Sequence, residues 1–268
     1  SGLLRVRQAA ERKKDERFTS LFHHITPERL RAVFHKMKKK AAAGVDGVKW
    51  EQYNTDLENN VQNLYKKLQN GAYRANPSRR VLIPKPDGRQ RPLGIASLED
   101  KVVQGAIVEV MNAIYESDFL GFSYGFRPGR SQHQALDALA VGIYQKKVNF
   151  LLDADIRGFF DAIDHRWLER FVGHREGDPR MVRLIRKWLK AGVMEEGRKV
   201  EVEVGSPQGA TISPLLANIY LHYSFDLWAQ QWRKRRATGD VIIIRYADDI
   251  VVGFQKKSDA NRFLCDMK

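Results

Sequence analysis

The sequence predicts an α+β fold on three observations. Amphipathic stretches of helical period precede, separate and follow short apolar strands. The strands lie close enough in sequence to pair as antiparallel hairpins. No βαβ repeat with a glycine-rich phosphate loop occurs, and no internal repeat or low-complexity linker divides the 268 residues.

Each element has a local reason. Leu3 to about Arg17 reads as a basic N-terminal helix. Thr26-Pro27-Glu28 opens a second, with Thr26 as N-cap and Pro27 in the first turn. Leu30, Val33, Phe34 and Met37 share one face of it, and Lys38, Lys39 and Lys40 close it. Leu57, Val61, Leu64 and Leu68 mark a third helix to Gln69, with Gly71 just beyond. Arg80 to Pro84 is a short strand that runs into the turn Pro86-Asp87-Gly88-Arg89. Lys101 to about Phe119 is amphipathic, and Ser131 to Tyr144 is a further helix. Val148 to Ala154 is apolar and strand-like. Asp178 caps a helix from Pro179 to Ala191 that Gly192 stops, and a small hairpin pairs Val193 to Glu195 with Arg198 to Val204. Pro214 to about Arg235 reads as one long helix. Val241 to Tyr246 and Ile250 to Phe254 form a last hairpin around Ala247-Asp248-Asp249, and Ser258 to Lys268 begins another helix.

Charge narrows the partner. Lys and Arg number 46 against 32 Asp and Glu, a net charge of +14. Such a surplus favours a polyanion, because each neutralised phosphate releases condensed counterions; an anionic membrane and a merely solvated basic surface are the alternatives. No apolar run reaches the roughly 18 residues of a spanning helix, and the N-terminus has no signal-peptide core. A soluble intracellular protein without a membrane partner is therefore expected. Cys265 is the only cysteine, which excludes an internal disulfide and a thiolate zinc cluster. His23, His24, His165 and His174 show no ligand spacing.

Two acid pairs interrupt apolar strands. Asp248-Asp249 sits inside VIIIRYADDIVVGF, where adjacent carboxylates repel one another unless they form a solvated hairpin tip or share a divalent cation. Asp153 and Asp155 are two apart in VNFLLDADIRGFFDAIDH, so on a strand they share a face. Asp153 also reads as a satisfied strand-edge acid, and Asp161 and Asp164 as solvent-facing or helix-capping residues. Two acid-tipped strands in one sheet could gather carboxylates around two hard metal ions, the arrangement of in-line phosphoryl transfer.

Order and local wording then bring a family into view. LLDADIRGFFDAIDH, GSPQGATISPLLANIYL and RYADDIVV resemble the three palm motifs of reverse transcriptases. RVLIPKPDGRQRPLGIASLEDKVVQ resembles their fingers motif. GFSYGFRPGRSQHQAL is similar to a segment typical of group II intron (maturase) enzymes, and AAGVDGV to a still earlier block. The blocks run in the family's order from about Ala42 to Phe254. The resemblance implies right-hand polymerase fingers (1–147, with a palm helix near 101–115) and palm (148–268). An antiparallel palm sheet would be flanked by helices, and the thumb absent.

The resemblance also implies roles. Asp155 and Asp248 are the expected catalytic metal ligands, with the Ile156 carbonyl adding an oxygen and Asp249 completing the acidic centre around two Mg²⁺ ions, or Mn²⁺ as substitute. Phe160 is the expected steric gate against a ribose 2′-OH; without the resemblance it reads as a core aromatic beside Phe159. Gln208 and Gly209 would meet the incoming nucleotide. Ser206 and Ala210 depart from the Thr and Gly frequent there, which bears only on subfamily. Lys85 and Arg91 suit a triphosphate, or else an exposed basic hairpin. Arg127 and Arg130 suit template backbone or a plain basic loop, and Arg79, Arg80, Lys38, Lys39 and Lys40 suit structured RNA. Implied partners are an RNA template and primer, intron RNA and dNTPs, with a homodimer left open. The rivals are an RNA-dependent RNA polymerase, which Phe160 disfavours, a metal-dependent nuclease, and an RNA-binding splicing factor with little polymerase activity.

Overall fold

The structure, a computed structural model, describes residues 2–84, 88, 90–195, 198–200, 204–205 and 209–267, Arg91 by its main chain alone. The helices and strands run in the order α1 (Gly2–Arg12), α2 (Pro27–Lys36), α3 (Trp50–Thr55), α4 (Leu57–Gln69), β1 (Ser78–Pro84), β2 (Gln90–Ile95), α5 (Leu98–Tyr115), α6 (Gln132–Gln145), β3 (Phe150–Asp155), α7 (Phe159–Ala162), α8 (His165–Gly173), α9 (Pro179–Lys190), β4 (Val193–Glu195), β5 (Arg198–Val200), α10 (Ser213–Leu221), α11 (Leu227–Arg235), β6 (Val241–Tyr246), β7 (Asp249–Phe254) and α12 (Lys257–Met267). Mixed helix and sheet is the composition the sequence predicts. Among the described residues no helix is long and apolar enough to cross a membrane.

Local signals account for most boundaries. Thr26 accepts a hydrogen bond from Arg29 N at the start of α2, Ser131 and Gln134 form a reciprocal capping box on α6, and Asp164 and Asp178 cap α8 and α9. Four expectations are corrected. The N-terminal helix stops at Arg12 rather than Arg17, because the chain turns there and then enters an extended bridge with Glu176. The second helix ends at Lys36: Met37 is extended (ψ 148°), so Lys38, Lys39 and Lys40 lie in an exposed turn rather than a last helical turn. The long helix from Pro214 is broken by a π turn, His222–Asp226, that turns His222, Phe225 and Asp226 inward. The fifth helix begins at Leu98 and ends at Tyr115, a span three residues earlier at its start and four at its end than its apolar pattern suggests.

The chain forms two compact units, Ser1–Ser117 with Phe160–Ser213, and Asp118–Phe159 with Pro214–Lys268. In the first, α1 and α2 pack on α5, whose Val102, Val103, Ala106, Ile107 and Val110 are fully buried. Its sheet has the order β2-β1-β4-β5, with β1 antiparallel to β2 and parallel to β4. Phe18 pairs with Glu176, and Arg175 donates to the Ala10, Lys13 and Lys14 carbonyls, so the segment after α1 is sewn to the loop before α9.

The second unit is built on the antiparallel sheet β3-β7-β6. One face is dry: Ile243, Ile250, Val252 and Phe254 are buried, and Phe254 packs against Trp232 of α11 and Phe263 of α12. This alternation leaves the other face free to carry polar groups.

Candidate active site

That other face carries the acids. Asp155 stands opposite Asp249 across β3 and β7, Asp153 opposite Val251, and Tyr246 of β6 opposite Asp249 on its other side. Cross-strand partners share a face, and residues two apart share it again, so Asp153, Asp155 and Asp249 are gathered by pairing alone. Asp248 occupies the tip between β6 and β7, and Ile156 N donates to its carbonyl at 3.4 Å, which ties the end of β3 to the tip.

The cost of this grouping is visible at Asp249. Its carboxyl is pushed above the ordinary aspartate range by burial first, then by the charges of Asp248, Asp155 and Asp153. Among the described residues no three His, Cys, Asp or Glu side chains are drawn into a ready-made metal cage. The donor set is nevertheless of the right chemistry. Carboxylate oxygens are the ligands of hard divalent cations, and a cation here would relieve the repulsion that raises Asp249.

The tip is held from behind. Ala247 has a left-handed backbone (φ 56°), a conformation that costs a non-glycine residue about 1–2 kcal/mol. Arg245, fully buried, donates through Nη1 to the Ala247 carbonyl at 2.9 Å and to Asn218 Oδ1 at 3.0 Å. It donates through Nη2 to Ser123 Oγ at 2.7 Å and Asp226 Oδ2 at 2.6 Å, and through Nε to Asp226 Oδ1 at 2.7 Å. Asn218 in turn donates to Gly125 O, and Gly125 lies so close that an added Cβ would stand 2.3 Å from Ala247 N. Sequence reading missed Arg245, Asp226, Asn218, Ser123 and Gly125. The available signal was Arg245 itself, a charge on the buried face of VIIIRY that had to have a partner.

The remaining expected site residues divide. Phe159 is buried and packs edge-on against Tyr220, whereas its neighbour Phe160 is only half-buried. Gly205 (φ 93°) donates to Ile163 O at 2.8 Å and accepts His165 Nε2, and Gly209 (φ 102°) presses on Gly94, where an added Cβ would meet Gly94 O at 3.0 Å. Both glycines are demanded by the backbone itself. Gln208, Lys85 and the Arg91 side chain lie outside the described residues; the Arg91 main chain pairs with Ile83.

Of the expected RNA contacts, Lys38, Lys39 and Lys40 are exposed, Lys39 lying over the Trp50 ring. Arg79 donates to Ala43 O, and Arg80 pairs with Glu195. Arg130 donates to Gly121 O and covers Tyr124. Arg127 is buried (7% exposed), donates to the Leu120 and Ser123 carbonyls and covers Phe119, so its position is that of a strut inside its loop. Phe126 beside it is exposed, with φ 58°.

Comparison with known proteins shows the family. The family described as "Reverse transcriptase (RNA-dependent DNA polymerase)" matches residues 83–268. Protein YkfC of Escherichia coli K12 is 36% identical over 83% of the chain, and the group II intron-encoded protein LtrA of Lactococcus lactis is 34% identical over 82%. The chain spans 66% of the length of the first and 37% of the second. A chain of a partial Cas6-RT-Cas1–Cas2 complex, 20% identical, shares the fold with a TM-score of 0.51 over 93% of this chain and 42% of its own. Members of the matched family generally use divalent metal ions. The chain belongs to the reverse transcriptase family, and its relatives include group II intron-encoded proteins and an intron maturase.

Proposed function

We propose that this chain carries the fingers (1–147, with α5 as a palm helix) and palm (148–268) of an RNA-directed DNA polymerase that extends a primer on an RNA template with dNTPs and grips intron RNA as a maturase. No described element is read as a thumb. The observation that carries this reading is the juxtaposition of Asp155 and Asp249 across β3 and β7 beside Asp248, with Asp249 raised by burial and then by its acidic neighbours.

Asp155 and Asp248 would hold the metal, helped by the Ile156 carbonyl and, in part, Asp249. Two Mg²⁺ ions, or Mn²⁺ in their place, would supply charge stabilisation for in-line displacement at the α-phosphorus. The chain's own residues do the rest. Arg245 and Asp226 keep the tip of the acidic hairpin in one conformation, so the carboxylates need no reorganisation. Phe160 excludes a 2′-OH, Lys85 and Arg91 neutralise the triphosphate, and Gln208 and Gly209 border the nucleotide. Arg79, Arg80, Arg130, Lys38, Lys39 and Lys40 are the basic groups offered to RNA, with Arg127 supporting Arg130.

Primer extension on an RNA template, with dNTP and rNTP pools tested separately, checks the reading. Divalent-ion-dependent extension with dNTPs alone is expected. RNA binding with no extension in the full-length protein would instead favour the splicing-factor reading, which the charge of +14 alone supports.

A further inference from the structure

A second charged site lies in the first unit, on elements that carry none of the acids. The turn after α4, the outer face of α9 and strand β5 line an open cavity of about 490 Å³. Among the described residues six cations line it, Arg74, Arg183, Arg186, Lys187, Lys190 and Lys199, together with the Tyr73 ring and the Gly71–Ala72 backbone. No acidic side chain is among the described lining residues. Arg186 is paired, to Glu169 at 2.9 Å.

The simplest alternative is that these cations offset the negative end of α9. It accounts for Lys187 and Lys190, which are in the last turn. It does not account for Arg183, a turn earlier, nor for Arg74 and Lys199, which come from two other elements. Bringing them together is costly. The Lys187 ammonium, drawn in to donate to Tyr73 O at 2.5 Å, is held below the ordinary lysine range by burial, then by Arg183 and Arg74. A lone carboxylate would leave most of this charge uncompensated. Consecutive phosphates would not: they offer several acceptors to arginine forks and lysine point charges, and the volume is that of an ordinary ligand site.

We propose that this cavity binds consecutive phosphate groups, those of an RNA strand crossing the first unit. A free polyphosphate offers the same chemistry, so the test must separate the two sources. The proposal does not rest on the polymerase reading, because it is tested without nucleotides or divalent ions. Failure to extend a primer would leave it standing, and its failure would leave the acidic site untouched.

The variant is Arg183→Gln with Lys190→Gln, both exposed, so that the fold is kept; its melting temperature checks this. The affinity of the full chain for a structured RNA is measured from about 50 to 300 mM KCl. The slope of log K against log salt should fall by about 2, one unit per lost phosphate contact. An equal charge loss at the exposed Lys256 and Lys257 should leave the slope in place, and Arg183→Lys with Lys190 intact should retain it. If calorimetry shows saturable tripolyphosphate binding that the variant loses while the RNA slope is unchanged, the phosphate site stands and its source is free polyphosphate. If neither ligand distinguishes the variant from wild type, or if the Lys256 and Lys257 control lowers the slope equally, the proposal is overturned.

Discussion

Arg245 and Asp226 form a fork with both side chains 0% exposed, Nε to Oδ1 at 2.7 Å and Nη2 to Oδ2 at 2.6 Å. Charges this deep are tolerated only when every donor is used, and Arg245 also engages Ser123, Asn218 and the Ala247 carbonyl. The π turn between α10 and α11 is what turns Asp226 inward. The pair thus links an irregular turn of one helix to the strained residue that precedes Asp248.

Removing one partner leaves the other buried and uncompensated. Asp226→Leu and Arg245→Met should therefore each cost about 3–5 kcal/mol of stability, whereas the two together should cost less than the sum of the single changes. Urea denaturation of the four proteins in the cycle measures this. Additive single effects would mean that the fork carries no coupling.

Asp248→Asn and Asp155→Asn should each lower primer extension by several orders of magnitude while leaving the fold intact. The lost carboxylate is a metal ligand in the proposed mechanism, and its loss also removes a charge that raises Asp249. Extension rates and thermal melts on the same preparations check both halves. Near-normal extension by either variant would remove the acids from the chemistry.

Phe160 is half-buried where Phe159 is buried, which leaves part of its ring available to shape a site. Phe160→Ala should raise rNTP use relative to dNTP by roughly ten- to a hundredfold, the scale of discrimination by shape alone. Competition between the two pools during single-nucleotide addition reads the ratio. An unchanged ratio in a folded variant would return Phe160 to packing.

The legible parts of the fold are those with local causes. Thr26, Asp178 and Gly192 state helix ends in the sequence, and Asp155 and Asp248 betray themselves by ending apolar strands. What escaped depends on distant partners. Pairing of β1 with β4 joins Ser78 to Val193, and nothing near either residue announces it. The π turn hides inside an unbroken helical pattern, because the partner that its Asp226 meets is Arg245, nineteen residues on. Arg127 looks like a surface cation in FRPGR, yet the Leu120 and Ser123 carbonyls that bury it are specified only by the closed loop.

Glu176 provides a test in pH. It is fully buried between Phe18 and the start of α9; Oε1 accepts from Asp178 N at 2.8 Å, and Oε2 has no hydrogen-bond partner among the described residues. Burial first, and the charge of Asp178 after it, push its carboxyl up to about 8, against the hydrogen bond from Asp178 N and then Arg17. The folded state therefore keeps this proton over a range in which the unfolded chain, ionising near 4.5, has released it. Its contribution to stability is fully present below about 4.5 and is lost as pH rises towards 8, by at most about 1.4 kcal/mol per pH unit. Glu176→Gln keeps an acceptor for Asp178 N and removes the titration, so its stability should be flatter between pH 5 and 8 (a window set by the two pKa values) and should exceed wild type at the upper end. Denaturant midpoints for both proteins across that range decide it. Parallel pH profiles would show that Glu176 is ionised in the folded protein and that Arg17 alone compensates it.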